Sequence, residues 1–135
     1  MAKSMNETAG TMNYDNLVAD AWPPKDVVSV TIRKEASAKA TLKRGTVLAL
    51  STGTGGDGTC VILGTAAVQN ETLTAGYVLC EDTEVGTDAN VTALAYRTGH
   101  FNRDALIVAS EYTLKNTDEE ALRNGGILLS DVMEY

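Results

Sequence analysis

The sequence contains little of what catalytic and metal sites are made from. Aromatic residues make up 5 % of the chain, and there are two cysteines, two prolines and a single histidine. One histidine and no CxxC pair leave a zinc site without ligands. No run approaches the roughly 20 apolar residues of a membrane helix, and the first residues form no secretory apolar segment. We therefore expect a soluble protein made in the cytoplasm, with no cofactor, no metal and no membrane partner.

The remaining composition is that of a globular protein. The chain has 135 residues, of which 44 % are apolar and 21 % are charged. A chain of this length buries roughly two-thirds of its unfolded surface and can form one core. With one Phe and one Trp, that core must consist mainly of Val, Leu, Ile and Ala.

Charge is distributed unevenly along the chain. The net charge is −7 overall, −2 in residues 1–26, +4 in residues 27–50 and −9 in residues 51–135. A nucleic-acid-binding protein needs a basic face to neutralise phosphates. The acidic later part of the chain predicts no nucleic-acid partner.

The basic stretch between residues 33 and 44 has two interpretations. It could contact an acidic protein partner, or it could be a solvated turn between strands. The side chains concerned are Arg33, Lys34, Lys39, Lys43 and Arg44.

Residues 1–26 show neither a helical nor a strand period and are interpreted as an N-terminal arm. Pro23 and Pro24 form a stiff, extended boundary between this arm and a domain over residues 27–135. The arm is either a solvated tail or a segment that orders on a partner, for example by adding a strand to a sheet edge. In the second case its anchors are Tyr14, Leu17, Val18 and Trp22.

From residue 26 onward the pattern predicts a mainly β fold with one or two short helices, a small and partly closed barrel. The expected strands are residues 27–33, 46–51, 59–63, 77–81, 91–98 and 127–130. A helix is expected from Thr117, with Glu120 completing a capping box and Gly125 ending it. A helical turn is expected near residues 102–106. Because no βαβ alternation occurs, a doubly wound nucleotide-binding fold is not expected.

Several motifs have plain structural interpretations. Residues 53–58 spell GxGxxG but precede a strand instead of a helix, which predicts a flexible hairpin loop. The acidic residues between 81 and 88 lack EF-hand register and indicate a solvated turn, with weak divalent binding as the alternative. His100 has no strained nucleophile elbow near it, so no catalytic triad is expected. Cys60 and Cys80 lie in apolar runs and are expected as reduced thiols, with a cross-strand disulfide as the alternative.

Four ordered stretches resemble the bacteriophage lambda head decoration protein family. They are TLKRGTVL at 41–48, YVLCED at 77–82, YRTGHFNRDAL at 96–106 and ALRNGGI at 121–127. The resemblance extends over about residues 27–130. Its strength lies in the order of the set, because no single stretch is diagnostic. This sequence departs from the family in its long arm and its glycine-rich loop at residues 51–58.

The resemblance implies a β-tulip domain that assembles as a homotrimer and performs no chemistry. Family members sit on the outer surface of the expanded phage head, at three-fold and quasi-three-fold sites, where they bind the major capsid protein. Their arm is mobile in the free trimer and orders on the capsid. Tyr96 and Phe101 are expected in the core or between trimer subunits. The alternatives are a ligand-binding or adhesion module on a particle surface and, with less support, a small hydrolase.

Overall fold

Nine β-strands and one α-helix make up the part of the chain that the structure describes. The structure is a computed structural model and describes residues 17–68 and 70–131. The strands are β1 (Val18–Asp20), β2 (Asp26–Ile32), β3 (Ala40–Leu42), β4 (Val47–Thr52), β5 (Cys60–Ile62), β6 (Thr72–Leu79), β7 (Thr83–Val85), β8 (Val91–Asn102) and β9 (Ile127–Ser130). Helix α1 spans Asn116–Gly125, and a 3-10 turn spans Arg103–Ala105.

Five strands close into a barrel in the order β2, β5, β4, β6, β8. Strand β8 closes it, because residues 91–98 pair antiparallel with β2 and Tyr96 pairs with Val78 of β6. The seam between β2 and β5 is short, a parallel contact of Ile32 with Cys60. The predicted mainly β fold is confirmed, with a closed barrel in place of a partly closed one. Each of the six predicted strands is present, and β1, β3 and β7 are additional.

The barrel wall has apolar side chains on both faces, because successive residues of a strand point to opposite sides. One cluster receives side chains from all five barrel strands and therefore fills the interior. It contains Val30, Ile32, Leu42, Leu48, Cys60, Leu79, Val85, Ala93 and Ala95. The other cluster joins the outer wall to β1, α1 and β9. It contains Leu17, Val47, Ala49, Val61, Leu63, Ala75, Val78, Tyr96, Phe101, Leu122 and Ile127.

Helix α1 covers the outer wall through Leu122, which is fully buried. Its predicted capping box at Thr117 and Glu120 is wrong by two residues. The N-cap is Lys115, whose backbone N–H donates to the Asp118 carboxylate at 3.0 Å. The predicted C-cap at Gly125 is also wrong, because Gly125 is the last helical residue and Gly126 adopts the left-handed conformation with φ of 109°. Within the described residues, no helix has the length and apolar character needed to cross a membrane.

Two of the additional strands, β3 and β7, form a separate two-stranded sheet. β3 pairs antiparallel with β7, and Leu42 and Val85 project from it into the barrel core. The acidic residues predicted as a solvated turn belong to this region, where Glu84 lies 3.2 Å from Lys39. Both cysteines are free, so the alternative of a cross-strand disulfide is wrong. Burial raises the pKa of Cys60 to about 11.

The glycine-rich loop connects β4 and β5 as the predicted hairpin, and a cluster of polar side chains holds it. At its centre is the buried carboxylate of Glu71, which accepts a hydrogen bond from Ser51 Oγ at 2.6 Å and one from the Val68 backbone N–H at 3.1 Å. The guanidinium of Arg33 pairs with Glu71 and reaches Asp57 at 3.2 Å. One ionic cluster thus ties the end of β2 to the loops on either side of β5.

We predict that this cluster makes the fold sensitive to acid. Hydrogen bonds from Arg33 and Ser51 lower the pKa of Glu71 to about 2, and bonds from Thr59 lower the pKa of Asp57 to about 2. Both values lie below those of the unfolded chain, so the stabilisation is complete above about pH 4.5 and is lost as the pH falls towards 2. This contribution should leave the urea midpoint unchanged from pH 7 to about pH 4.5 and lower it from there towards pH 2.

The substitution Glu71→Gln should lower the midpoint at pH 7, because it leaves Arg33 with a neutral partner, and should flatten the acid dependence. Glu120→Gln is the matched control, since Glu120 pairs with Arg123 on the exposed face of α1. Equal effects of the two substitutions would contradict the assignment of the acid sensitivity to Glu71.

Candidate functional site

The end of the predicted arm packs onto the domain. Leu17 is 1 % exposed and belongs to the outer-wall cluster, and its carbonyl accepts the Asn102 N–H at 2.8 Å. Val18 follows in β1, which pairs antiparallel with the end of β8 opposite Phe101. Two of the four predicted anchors, Leu17 and Val18, therefore contact this chain's own core. Tyr14 lies outside the described residues.

The segment after β1 is attached to β8 at a second point. The Thr98 hydroxyl donates to the Pro24 carbonyl at 2.6 Å, and Asp26 forms an ion pair with Arg97. Gly99 lies between these contacts, and its lack of a side chain leaves room for the buried Phe101 ring, from which a Cβ would lie 2.7 Å. Residues 17–26 are consequently held at both ends.

Trp22 lies between these two attachments and is 73 % exposed, the most exposed large apolar side chain among the described residues. Its peptide bond to Pro23 is cis. Tryptophan is among the residue types that dominate binding energy at protein interfaces. Because the flanking backbone is held at both ends, binding through Trp22 would cost little additional ordering of the chain. We define residues 17–26 as the Trp22 segment and take it as the candidate binding site.

Tyr96 and Phe101 lie beneath the Trp22 segment in the core of a single chain. Phe101 is fully buried and Tyr96 is 8 % exposed, and their ring centroids are 5.2 Å apart. Arg44 packs over the Tyr96 ring at 5.6 Å and donates to the Tyr96 hydroxyl at 2.8 Å. Both aromatic residues support the β8 end on which β1 lies.

The predicted basic contact residues have partners within the chain. Arg33 is bound to Glu71 and Asp57, and Arg44 donates to Tyr96 and to the Cys80 carbonyl. Lys43 lies 3.8 Å from Asp82, and both side chains are exposed. The two arginines therefore have structural contacts, which sequence reasoning did not identify. Lys34 and Lys43 remain on the surface, and a contact of theirs with an acidic partner stays a prediction.

His100 has a structural contact in this fold. His100 lies with its Nε2 3.1 Å from Ser130 Oγ, in a contact that joins β8 to β9. No group of three or more His, Cys, Asp or Glu side chains suited to a metal ion occurs within residues 17–68 and 70–131.

One groove of about 220 Å³ lies beside the Arg33 cluster, with Arg33 in its lining. Apolar side chains of Ile32, Leu42, Val61 and Ile62 line most of it, with Lys34 at its rim. It is smaller than the usual pocket for a drug-sized ligand, and no aromatic ring lines it for stacking on a sugar.

A protein-family model described as bacteriophage lambda head decoration protein D matches residues 7–128. The match includes the Trp22 segment and the whole barrel. No curated protein matches the chain.

We predict that Leu17 stabilises the fold and that Trp22 contributes almost nothing to its stability. Leu17→Ala should lower the free energy of unfolding by about 2–5 kcal/mol, because it opens a cavity in the outer-wall cluster. Trp22→Ala should change it by no more than about 0.5 kcal/mol, as exposed side chains usually do. Urea denaturation at one fixed protein concentration measures both. A Leu17→Ala variant as stable as the Trp22→Ala variant would show that the Trp22 segment is not part of the folded domain.

Proposed function

The chain belongs to the bacteriophage lambda head decoration protein D family, and we propose on that premise that it binds as a homotrimer to the outer surface of the expanded phage head. Its partner is the major capsid protein, at three-fold and quasi-three-fold sites, and its effect is to stabilise the shell. The protein is made in the host cytoplasm and acts without catalysis. The observation that carries the proposal is Trp22, a single tryptophan held out to solvent on a segment attached at both ends.

Stabilisation of a shell needs only preferential binding. A ligand that binds one state of a lattice stabilises that state by RT ln(1 + [L]/Kd), which is about 2.7 kcal/mol at a hundredfold excess over Kd. If the docking sites exist only after expansion, the bound protein opposes reversal of expansion. A protein of this kind needs a fixed contact surface instead of a reactive group.

The predicted arm would bind through two parts, the Trp22 segment and residues 1–16. The fixed Trp22 segment supplies a prearranged contact, and residues 1–16 would add further contacts with the capsid protein. Three such arms on one trimer raise the effective concentration of the second and third contacts, so individually weak contacts can hold together.

The alternative of a ligand-binding or adhesion module has less support. It rests on the groove beside Arg33, whose size and lining do not suit a sugar or a larger organic ligand. Trp22 does not line that groove.

We predict that Trp22→Ala weakens binding to expanded heads at least thirtyfold, the loss typical of an interface hot spot. The measurement is co-sedimentation of purified protein with matched phage heads that lack it, prepared before and after expansion. Val68→Ala is the control, because Val68 is 57 % exposed in a loop away from the Trp22 segment. Wild-type affinity of the Trp22→Ala variant would refute Trp22 as the main contact.

A truncation experiment should stop at residue 16. Removal of residues 1–24 would also remove Leu17 and β1, so loss of binding could reflect loss of folding. Removal of residues 1–16 tests the arm alone, and we expect weaker binding with an unchanged urea midpoint.

A further inference from the structure

Two dipeptides in the chain are of the kind at which a protein backbone rearranges spontaneously. An asparagine or aspartate followed by glycine is prone to this reaction, because the glycine N–H is unhindered by a side chain and can attack the preceding side-chain carbonyl. The sequence contains one pair of each kind, Asp57-Gly58 and Asn124-Gly125. The structure holds the first pair firmly and leaves the second less restrained.

Both reacting groups of the Asp57-Gly58 pair are engaged in the fold. Asp57 Oδ1 accepts hydrogen bonds from the Thr59 N–H at 3.0 Å and the Thr59 hydroxyl at 2.6 Å, and it lies 3.2 Å from Arg33. The Gly58 N–H, which would be the nucleophile, donates to the Ser51 carbonyl at 3.1 Å. An aspartate reacts mainly in its protonated form, and the hydrogen bonds from Thr59 lower the pKa of Asp57 to about 2. This pair is therefore protected.

Asn124 has no comparable restraint on its side chain. It is exposed in the last turn of α1, and its amide forms no hydrogen bond with any residue in the described ranges 17–68 and 70–131. Gly125 is also exposed, and no neighbouring element lies within 4 Å of the position that a Cβ would occupy. Water therefore reaches both reacting groups, and what separates them is the helical backbone.

The helical backbone is a weak restraint at this position. In a helix the glycine N–H points along the axis and away from the preceding side chain, so the reaction needs the last turn to open. Gly125 is the last helical residue, and Gly126 follows it in the left-handed conformation. Helix ends fray, and glycine is a poor helix former. Local opening of one terminal turn costs much less free energy than global unfolding.

We propose that Asn124 is a site of spontaneous deamidation, at which the folded protein is converted to aspartate and isoaspartate forms. The Gly125 nitrogen attacks Asn124 Cγ, the Cγ–Nδ2 bond breaks, and the amide nitrogen leaves as ammonia with the proton of the attacking N–H. Water then opens the resulting succinimide ring at either carbonyl. Opening at Cγ gives aspartate, and opening at the backbone carbonyl gives isoaspartate, in which the main chain runs through Cβ and Cγ.

An isoaspartate at this position lengthens the backbone where the fold has no slack. Leu122 and Ile127 are fully buried on either side of the pair. Between them, Gly126 packs so closely that a Cβ would lie 2.8 Å from Thr98 Cγ2, and its carbonyl accepts the Gly99 N–H at 3.1 Å. One additional backbone atom must therefore displace α1 or β9. The new negative charge also lies at a helix C-terminus, where the macrodipole disfavours an anion.

The test follows purified full-length protein during incubation in mildly alkaline buffer at 37 °C. Peptide mass spectrometry locates deamidation by a gain of about one mass unit, and labelling with an isoaspartate-specific methyltransferase locates isoaspartate. We expect Asn124 to convert at least tenfold faster than the other asparagines of the described residues, none of which precedes glycine. They are Asn70, Asn90, Asn102 and Asn116.

Gly125→Ala is the matched control. The alanine Cβ has open space, and alanine favours the helix, so the variant should fold with an unchanged or higher urea midpoint. Its N–H is hindered and its helix end is firmer, and we expect conversion of Asn124 to slow at least tenfold. The same incubation of the wild-type chain unfolded in urea gives the rate in the absence of the fold.

Conversion of Asn124 in the folded protein that Gly125→Ala suppresses supports the inference. Absence of conversion in the folded protein, while the unfolded chain converts, overturns it, because the last turn of α1 is then too stable to open. Conversion that Gly125→Ala leaves unchanged, or isoaspartate that accumulates first at Asp57, also overturns it.

The consequence for the fold has its own measurement. The isoaspartate form, separated from the intact protein by chromatography, should have the lower urea midpoint, because its longer backbone disturbs the connection between α1 and β9. Equal midpoints of the two forms would contradict the tight packing assigned to Gly126.

Discussion

Strand β8 is the structural element on which the rest of the molecule depends. Its first part closes the barrel by pairing with β2 and β6, and its last part carries β9 on one side and β1 on the other. Its side chains also serve both cores, since Ala95 faces the barrel interior and Tyr96 the outer wall. Because one twelve-residue strand both closes the barrel and holds β1, closure of the barrel is coupled to attachment of the Trp22 segment.

Much of the fold could be predicted because strands and turns leave local patterns. β-branched alternation indicated β2, the further strands expected at residues 46–51 and 91–98 correspond to β4 and β8, and the 3-10 turn at Arg103–Ala105 lies within the expected residues. The helix caps were misplaced by one or two residues. Thr117 is a favourable N-cap residue in sequence, but the helix begins after Lys115, whose backbone N–H is bound by the Asp118 side chain, and only the backbone geometry reveals this. Three-residue strands such as β3 and β7 are too short for a period to appear in the sequence.

The candidate site was harder to predict than the fold. Leu17 and Trp22 are both isolated apolar residues in an unpatterned segment, and no local signal distinguishes the one that is buried from the one that is exposed. The difference arises from contacts with Phe101, Thr98 and Asn102, more than seventy positions away. Likewise, Arg33 is one of five basic residues between positions 33 and 44, and nothing in the sequence distinguishes it from the others. Its pairing with Glu71 depends on how β2, β4 and the loop that contains Glu71 pack together.

Within residues 17–26, Leu17 is buried and Trp22 is exposed, and this arrangement lowers the entropy cost of binding to a shell. A wholly loose tail would lose conformational entropy along its entire length on binding, at about 1–2 kcal/mol for each residue ordered. Here residues 17–26 are ordered before any partner is met, because Leu17, Pro24 and Asp26 are attached to β8. Binding through the Trp22 segment therefore carries little of that entropy cost.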